Sequence, residues 1–334
     1  MSISPALNAK IKAMTGELLS PEQIMNLENM SGLDIEREIK RLKPNLNWPK
    51  NQAKTSAKEL EKVLLNSVID DFLKIYYFAD IKLRPVIAIY GLQFEIRFIK
   101  HALKAIEQKG QTDVTVGPLA NYLETSRHYH LNEIILATNF NAFIEALRDT
   151  PFAKFFSQHE KYFSEDSYEQ FIIESDLDKF RAELTVQEVK NLLPLDLAKD
   201  LNRYYGMKYD LINLNTIYRL KFLFKVTNEE IEAHLFKPGR KLTPEVRLNL
   251  LASTSPETYQ RKVEELGYES VLNYAKESFS VYQQEQFIAK QLRRFAKQFP
   301  NSVLNIFAFF NQKELEVRHF IHLIEQTLVK PKQH

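Results

Sequence analysis

The sequence predicts an all-α protein built from a helical unit that is repeated three times. Three observations carry that prediction: glycine is scarce, helix-start signals recur along the chain, and one ordered pair of helical signatures returns three times. There are 8 glycines in 334 residues, where roughly 7% would be usual, so tight hairpin turns are few. The start signals are Ser20-Pro21-Glu22-Gln23, Ser56-Ala57-Lys58-Glu59, Thr185-Val186-Gln187-Glu188, Thr227-Asn228-Glu229-Glu230 and Thr243-Pro244-Glu245. In each, a hydroxyl can accept from an orphan N–H at a helix start. In the first four an acid or amide three residues on can return the bond, and proline after Ser20 and Thr243 forfeits a donor that had no partner.

Taken in chain order, Asp34 to Leu46 reads as an amphipathic helix that breaks at Leu42, and residues 43–55, rich in proline and asparagine, read as a loop. A helix starts at Ser56. "RPVIAIYGL" from Arg84 has strand-like residues and is ambiguous alone. The repeat resolves it: the first, fourth and eighth residues after Glu95 are Ile96, Ile99 and Leu103, all apolar. From Asp210 the same offsets give Leu211, Leu214 and Tyr218, and from Glu316 they give Val317, Phe320 and Ile324. Such spacing makes one buried helical stripe, and the acid before it is expected near a helix beginning, where its charge suits the macrodipole. Tyr90-Gly91 and Tyr205-Gly206 precede their acids at the same distance, while the third copy has Asn311-Gln312 there.

An amphipathic helix that ends at a leucine precedes each acid: Leu42, then Leu147 in "FNAFIEALRDTPFAKFF", then Leu266 in "TYQRKVEELGYESVL". The order and a period of about a hundred residues agree across the copies, which argues for triplication. The expected division is repeat 1 over 1–107, a connecting insertion over 108–138, repeat 2 over 139–236, repeat 3 over 237–330 and a tail over 331–334.

Composition narrows the function classes. Lys plus Arg total 45 against 43 Asp plus Glu, a net charge of +2 that gives no electrostatic case for nucleic acid. Zero cysteines remove disulfides, thiolate metal sites and thiol nucleophiles. No apolar run approaches about eighteen residues, so no membrane span is expected, and "MSISPALNAKIK" lacks a secretory apolar segment. No G-x-x-x-x-G-K, G-x-G-x-x-G or G-x-S-x-G occurs. The 23 Phe and 15 Tyr fall largely in apolar stripes, which reads as core packing rather than base stacking. The basic clusters Arg219–Lys225 and Lys290–Gln298 read as solvated faces or as surfaces for an acidic partner.

Three constellations invite a metal reading. Glu316, His319 and His322 share helical spacing, but the last two positions are Phe98 and His101, then Asn213 and Thr216, in the other copies. A ligand set would not dissolve where the architecture persists, so the repeat-helix role is preferred. His128 and His130 would point to different faces of a helix, though a strand or loop could bring them together. Asp70-Asp71 has no second aspartate-rich partner, so a solvated helix face is preferred.

With those residues in view, "DLINLNTIYRLKFLFKVTNEEIEAHLFKPGRKLTPE" resembles the second-repeat motif of the C-type subunits of the archaeal and bacterial V-type (A-type) ATPases, which are related to the d-type subunits of the eukaryotic vacuolar enzyme. "ALNAKIKAMTGELLSPEQI" resembles that family's opening helix, "FIEALRDTPFAKFF" its Leu-x-x-Thr-Pro-Tyr element, and "KELEVRHFIHLIEQTL" its terminus. Phe152 stands where the family usually has tyrosine, and Pro238-Gly239-Arg240 where it has a glycine pair.

The resemblance implies a funnel of three pseudo-equivalent helical lobes. It implies a non-catalytic central-stalk subunit on the cytoplasmic face, with neither cofactor nor small-molecule substrate, linking rotor-shaft subunits of the D and F type to the membrane proteolipid ring. A helical-repeat scaffold for another complex is the alternative. Within this reading Glu95, Asp210, Asn213, Glu316 and Arg318 form the structural repeat motif. Lys237, Pro238, Gly239 and Arg240, together with the helix around Arg318, are candidate partner contacts by charge and position.

Overall fold

Three times along the chain, a run of short helices leads into two long ones. α1 (Pro5–Gly16), α2 (Pro21–Glu28) and α3 (Leu33–Leu42) precede α4 (Ala57–Phe78) and α5 (Arg84–Glu107). α6 (Ala120–Arg127), α7 (Leu131–Leu136), α8 (Phe140–Ala146) and α9 (Phe152–Gln158) precede α10 (Gln170–Leu192) and α11 (Leu195–Tyr218). α12 (Asn228–Ala233), α13 (Pro244–Leu251) and α14 (Pro256–Glu265) precede α15 (Val281–Gln298) and α16 (Leu304–Val329). The computed structural model describes residues 2–30, 33–49, 56–108, 117–164, 167–268 and 281–329. Among these the fold is all-α, with two isolated bridges, Ser2 to Ser302 and Phe163 to Tyr168, as its only extended pairing. Residues 50–55 of the loop expected over 43–55, residues 109–116 of the expected insertion and the tail lie outside the described residues.

Four of the five start signals work as the residue chemistry requires. Ser20, Ser56 and Thr227 each close a reciprocal capping box with the residue three positions on, and Thr243 caps α13 with Pro244 at the first helical position. Thr185 does not start a helix. It lies inside α10, buried, where tertiary packing along the stripe of Ile173, Leu177, Ala182 and Val189 carries the helix through it. The ambiguous "RPVIAIYGL" is helical, as the repeat required, and opens α5.

The chain falls into two compact units, Met1–Leu83 with Ser280–His334, and Arg84–Phe279. In the first, α16 packs against α15, α4, α1 and α3. α4 and α16 meet antiparallel, with the Phe72 and Phe310 rings 5.9 Å apart and Lys313 Nζ 3.4 Å from Asp71. The chain start is fastened to the α15–α16 connection, where Ile3 N–H donates to Asn301 O at 2.8 Å. In the second unit α5 packs on α10, and α10 on α11. The stripes after the three acids are buried in eight of nine positions, with Tyr218 half-buried against Tyr259 and Phe222. Each buried aliphatic or aromatic side chain of this kind contributes about 1.5–3 kcal/mol. Phe152 is fully buried, its ring edge on Phe180; a tyrosine hydroxyl at that place would require its own partner.

Candidate functional site

Glu95 on α5, Asp210 on α11 and Glu316 on α16 are all buried and all mid-helix. The expectation that they sit at the beginning of their own helices is therefore corrected. Each instead holds the stretch of chain that enters a different, short helix.

Asp210 shows how. Its Oδ1 accepts the backbone N–H groups of Arg240 at 3.1 Å and Leu242 at 3.2 Å, while Oδ2 accepts that of Lys241 and the Tyr268 hydroxyl, both at 2.8 Å. Three peptide donors just ahead of α13 are thus satisfied by one carboxylate, next to the positive end of that helix. Two glycines permit the approach. A Cβ on Gly206, one turn before Asp210, would lie 2.9 Å from Arg240 N, and one on Gly239 would lie 2.7 Å from Asp210 Oδ1. Burial raises the Asp210 pKa above the ordinary carboxylate value, opposed by the peptide and tyrosine donors.

Glu316 does the same work for α2. Its Oε1 accepts from Leu19 N–H at 2.7 Å and lies 2.7 Å from Lys43 Nζ. Leu19-Ser20-Pro21 and Leu242-Thr243-Pro244 therefore correspond residue by residue: held peptide, cap, first helical position. Lys43 follows the leucine that closes α3, much as Tyr268 follows the one that closes α14, and it also donates to Glu17 O at 2.7 Å. Lys313 Nζ bridges Glu316, at 3.6 Å, and Asp71.

Glu95 uses side chains instead of peptides. Arg127 Nε lies 2.8 Å from Oε1, the Tyr122 hydroxyl donates to Oε1 at 3.3 Å and the Tyr129 hydroxyl to Oε2 at 3.1 Å. These three partners come from α6 and the residue before the α7 cap, so the segment expected to be a connecting insertion supplies the socket of the first acid. Burial raises the pKa of Glu95, and the Arg127 guanidinium pulls it back. Burial opposes the charge on Arg127, but Glu95 and Glu188 outweigh it and hold the guanidinium pKa above its ordinary value.

The remaining motif residues divide. Asn213 closes a two-way bond with the Phe236 peptide, donating to its O and accepting from its N, both at 2.8 Å. Arg318 is exposed. In the loop marked for partner contact, Lys237 is exposed and 3.3 Å from Glu183, and Pro238 is half-buried. Gly239 and Arg240 are exposed but fixed from beneath by Asp210, with the Arg240 guanidinium on Met207 Sδ at 3.2 Å.

The residues behind the metal readings have other partners. Glu316 faces Leu19 and Lys43, His319 lies 3.7 Å from Glu28, and His322 contacts Gln326 at 2.8 Å. His130 pairs with Asp149 at 2.6 Å and Asp71 with Lys74 at 3.0 Å. Among the described residues no three His, Asp or Glu side chains converge on one point. A cleft of about 790 Å³ in the second unit is lined by Phe171 and Phe224 together with polar side chains that include Ser175, Asp178, Arg219 and His234.

Sequence reasoning missed Lys43, Tyr122, Arg127, Tyr129, Tyr268 and Lys313 as partners of the acids. It also missed a surface feature: the fifth residue of α2, α7 and α13 is in each case a large apolar side chain left exposed, Met25 at 56%, Ile135 at 51% and Leu248 at 63%. The shared "Leu-Ser-Pro-Glu" and "Leu-Thr-Pro-Glu" entries were the available signal for two of the three.

No helix among the described residues is long and apolar enough to cross a membrane. No curated protein matches the chain. The model of the ATP synthase (C/AC39) subunit family, by contrast, matches residues 7–332, and on that near-complete match the chain belongs to this family, the C/d subunits of V/A-type ATPases.

Proposed function

We propose that the chain is the non-catalytic central-stalk subunit of its rotary ATPase. It links rotor-shaft subunits of the D and F type to the proteolipid ring on the cytoplasmic face and transmits torque for ATP-coupled proton or sodium transport. Three pseudo-equivalent lobes, 1–107, 139–236 and 237–330, form a funnel around the shaft tip in this reading, with 108–138 contributing the entry helices of the second. The observation that carries it is the triple socket. A buried acid on a long helix grips the entry of a short helix, and the fifth residue of that short helix is an exposed apolar side chain, joined in α7 by exposed Leu136. Charge-assisted hydrogen bonds in a buried site resist deformation, as a torque coupler requires.

The absence of cysteine makes a direct test simple. A single cysteine at Leu248, carrying a short cross-linker, is expected to capture a shaft subunit in the assembled complex. Capture of stator subunits alone would overturn the assignment.

A further inference from the structure

Most exposed apolar side chains outside the short helices gather where one long helix hands over to the next. Tyr77, Phe78 and Ile81 mark the end of α4, Leu192 and Leu195 the α10–α11 connection, and Phe299 the α15–α16 connection. In the first unit two of these connections share one end. The antiparallel contact of α4 with α16 brings the last turn of α4 beside the first of α16. Ile3 and Asn8 bond to Asn301, and Lys10 Nζ lies 4.5 Å from the centre of the Phe78 ring.

That end is basic as well as apolar. Lys82 stands exposed next to Ile81, itself 78% exposed, and Lys297 is exposed two residues before Phe299. Lys290, Arg293 and Arg294 continue the row up α15 at helical spacing, all exposed. None of Lys82, Lys290, Arg294 and Lys297 has an ion-pair partner among the described residues, and Asp80 is the sole acid in the turn 79–83. The corresponding connection in the second unit repeats the chemistry, with Lys190, Leu192 and Leu195 exposed.

We propose that this end of the first unit docks on an anionic phospholipid surface. Phe78, Ile81 and Phe299 enter the headgroup region, and Lys10, Lys82 and Lys297 meet the phosphates. Apolar side chains on the tips of two short connections, beside lysines without an ion-pair partner among the described residues, suit shallow insertion into a fluid interface better than the broad complementary face of a protein contact. The proposal goes beyond the coupling role and does not depend on it.

The test uses the full chain with Ile81→Cys carrying an environment-sensitive dye, and Leu248→Cys as the comparison. Phosphatidylcholine vesicles with about a third phosphatidylglycerol are expected to shift the emission at 81 to the blue, less so at high salt, and to leave 248 unchanged. Lys82→Ala and Lys297→Ala are each expected to weaken partitioning about fivefold, with unchanged thermal unfolding. No shift at 81, an equal shift with pure phosphatidylcholine, or an equal shift at 248 would overturn the proposal. A shift at 81 with the detergent-solubilised proteolipid ring, but none with vesicles, would overturn it in favour of a protein contact. Loss of lipid binding leaves co-purification with the ATPase untouched, so the two readings fail separately.

Discussion

Asp210 places four donors on two oxygens, and this sets what its loss must do. Asp210→Ala strands three peptide N–H groups and the Tyr268 hydroxyl, so a loss of about 3 kcal/mol is expected in urea unfolding, against about 1 kcal/mol for Tyr268→Phe. Gly206→Ala should cost about 1–3 kcal/mol, because its Cβ would press on backbone rather than on a flexible side chain.

Titration separates the buried groups by sign. Glu95 and Asp210 have raised pKa values, so the folded chain keeps their protons to higher pH than the unfolded chain. Their stabilising contribution is complete below the ordinary values of 4.5 and 3.8 and is lost as pH rises through the raised ones. His319 has the opposite sense: burial lowers its pKa from 6.5, Glu28 opposing and His322 assisting, so its contribution is present above 6.5 and is lost as pH falls through the lowered value. The urea midpoint of His319→Gln is therefore expected to fall less than that of the native chain between about pH 7.5 and about pH 5.5. The acids themselves were legible, because the stripe after each fixes its face. Their partners were not: Arg127 and Tyr268 reach across the fold, and nothing local marks them.

Elements repeat the same lesson at larger size. Capping chemistry is local, and Ser20, Ser56, Thr227 and Thr243 announced their helices correctly. Thr185 carried the same pattern and failed, since a capping box inside a long buried stripe competes with packing that extends through it. The entry helices α2, α7 and α13 make the element-scale prediction. Met25→Asp, Ile135→Asp and Leu248→Asp change exposed positions, so thermal unfolding should move by less than about 0.5 kcal/mol-equivalent, while recovery of shaft subunits with the tagged chain should fall, most in the triple variant. Equal recovery from native and triple variant would show that these side chains face no partner.

For the whole molecule, the repeat of element order was readable in the sequence, because each copy spells out the leucine end, the acid and the stripe. The division into two compact units was not, because the C-terminal α16 packs with α1, α3 and α4 from the start of the chain, a contact that no local pattern encodes. In that contact Glu316 holds Leu19, so the last repeat closes on the first through the same socket that joins Asp210 to α13. Family membership places the chain in a V/A-type ATPase, and the coupling role rests on what it grips there. The most direct measurement is affinity purification of the tagged chain from gently solubilised membranes, with mass spectrometry of what accompanies it. Rotor-shaft subunits and the ring proteolipid recovered together are the predicted result; the chain recovered alone, from cells shown to contain the intact ATPase, would contradict it.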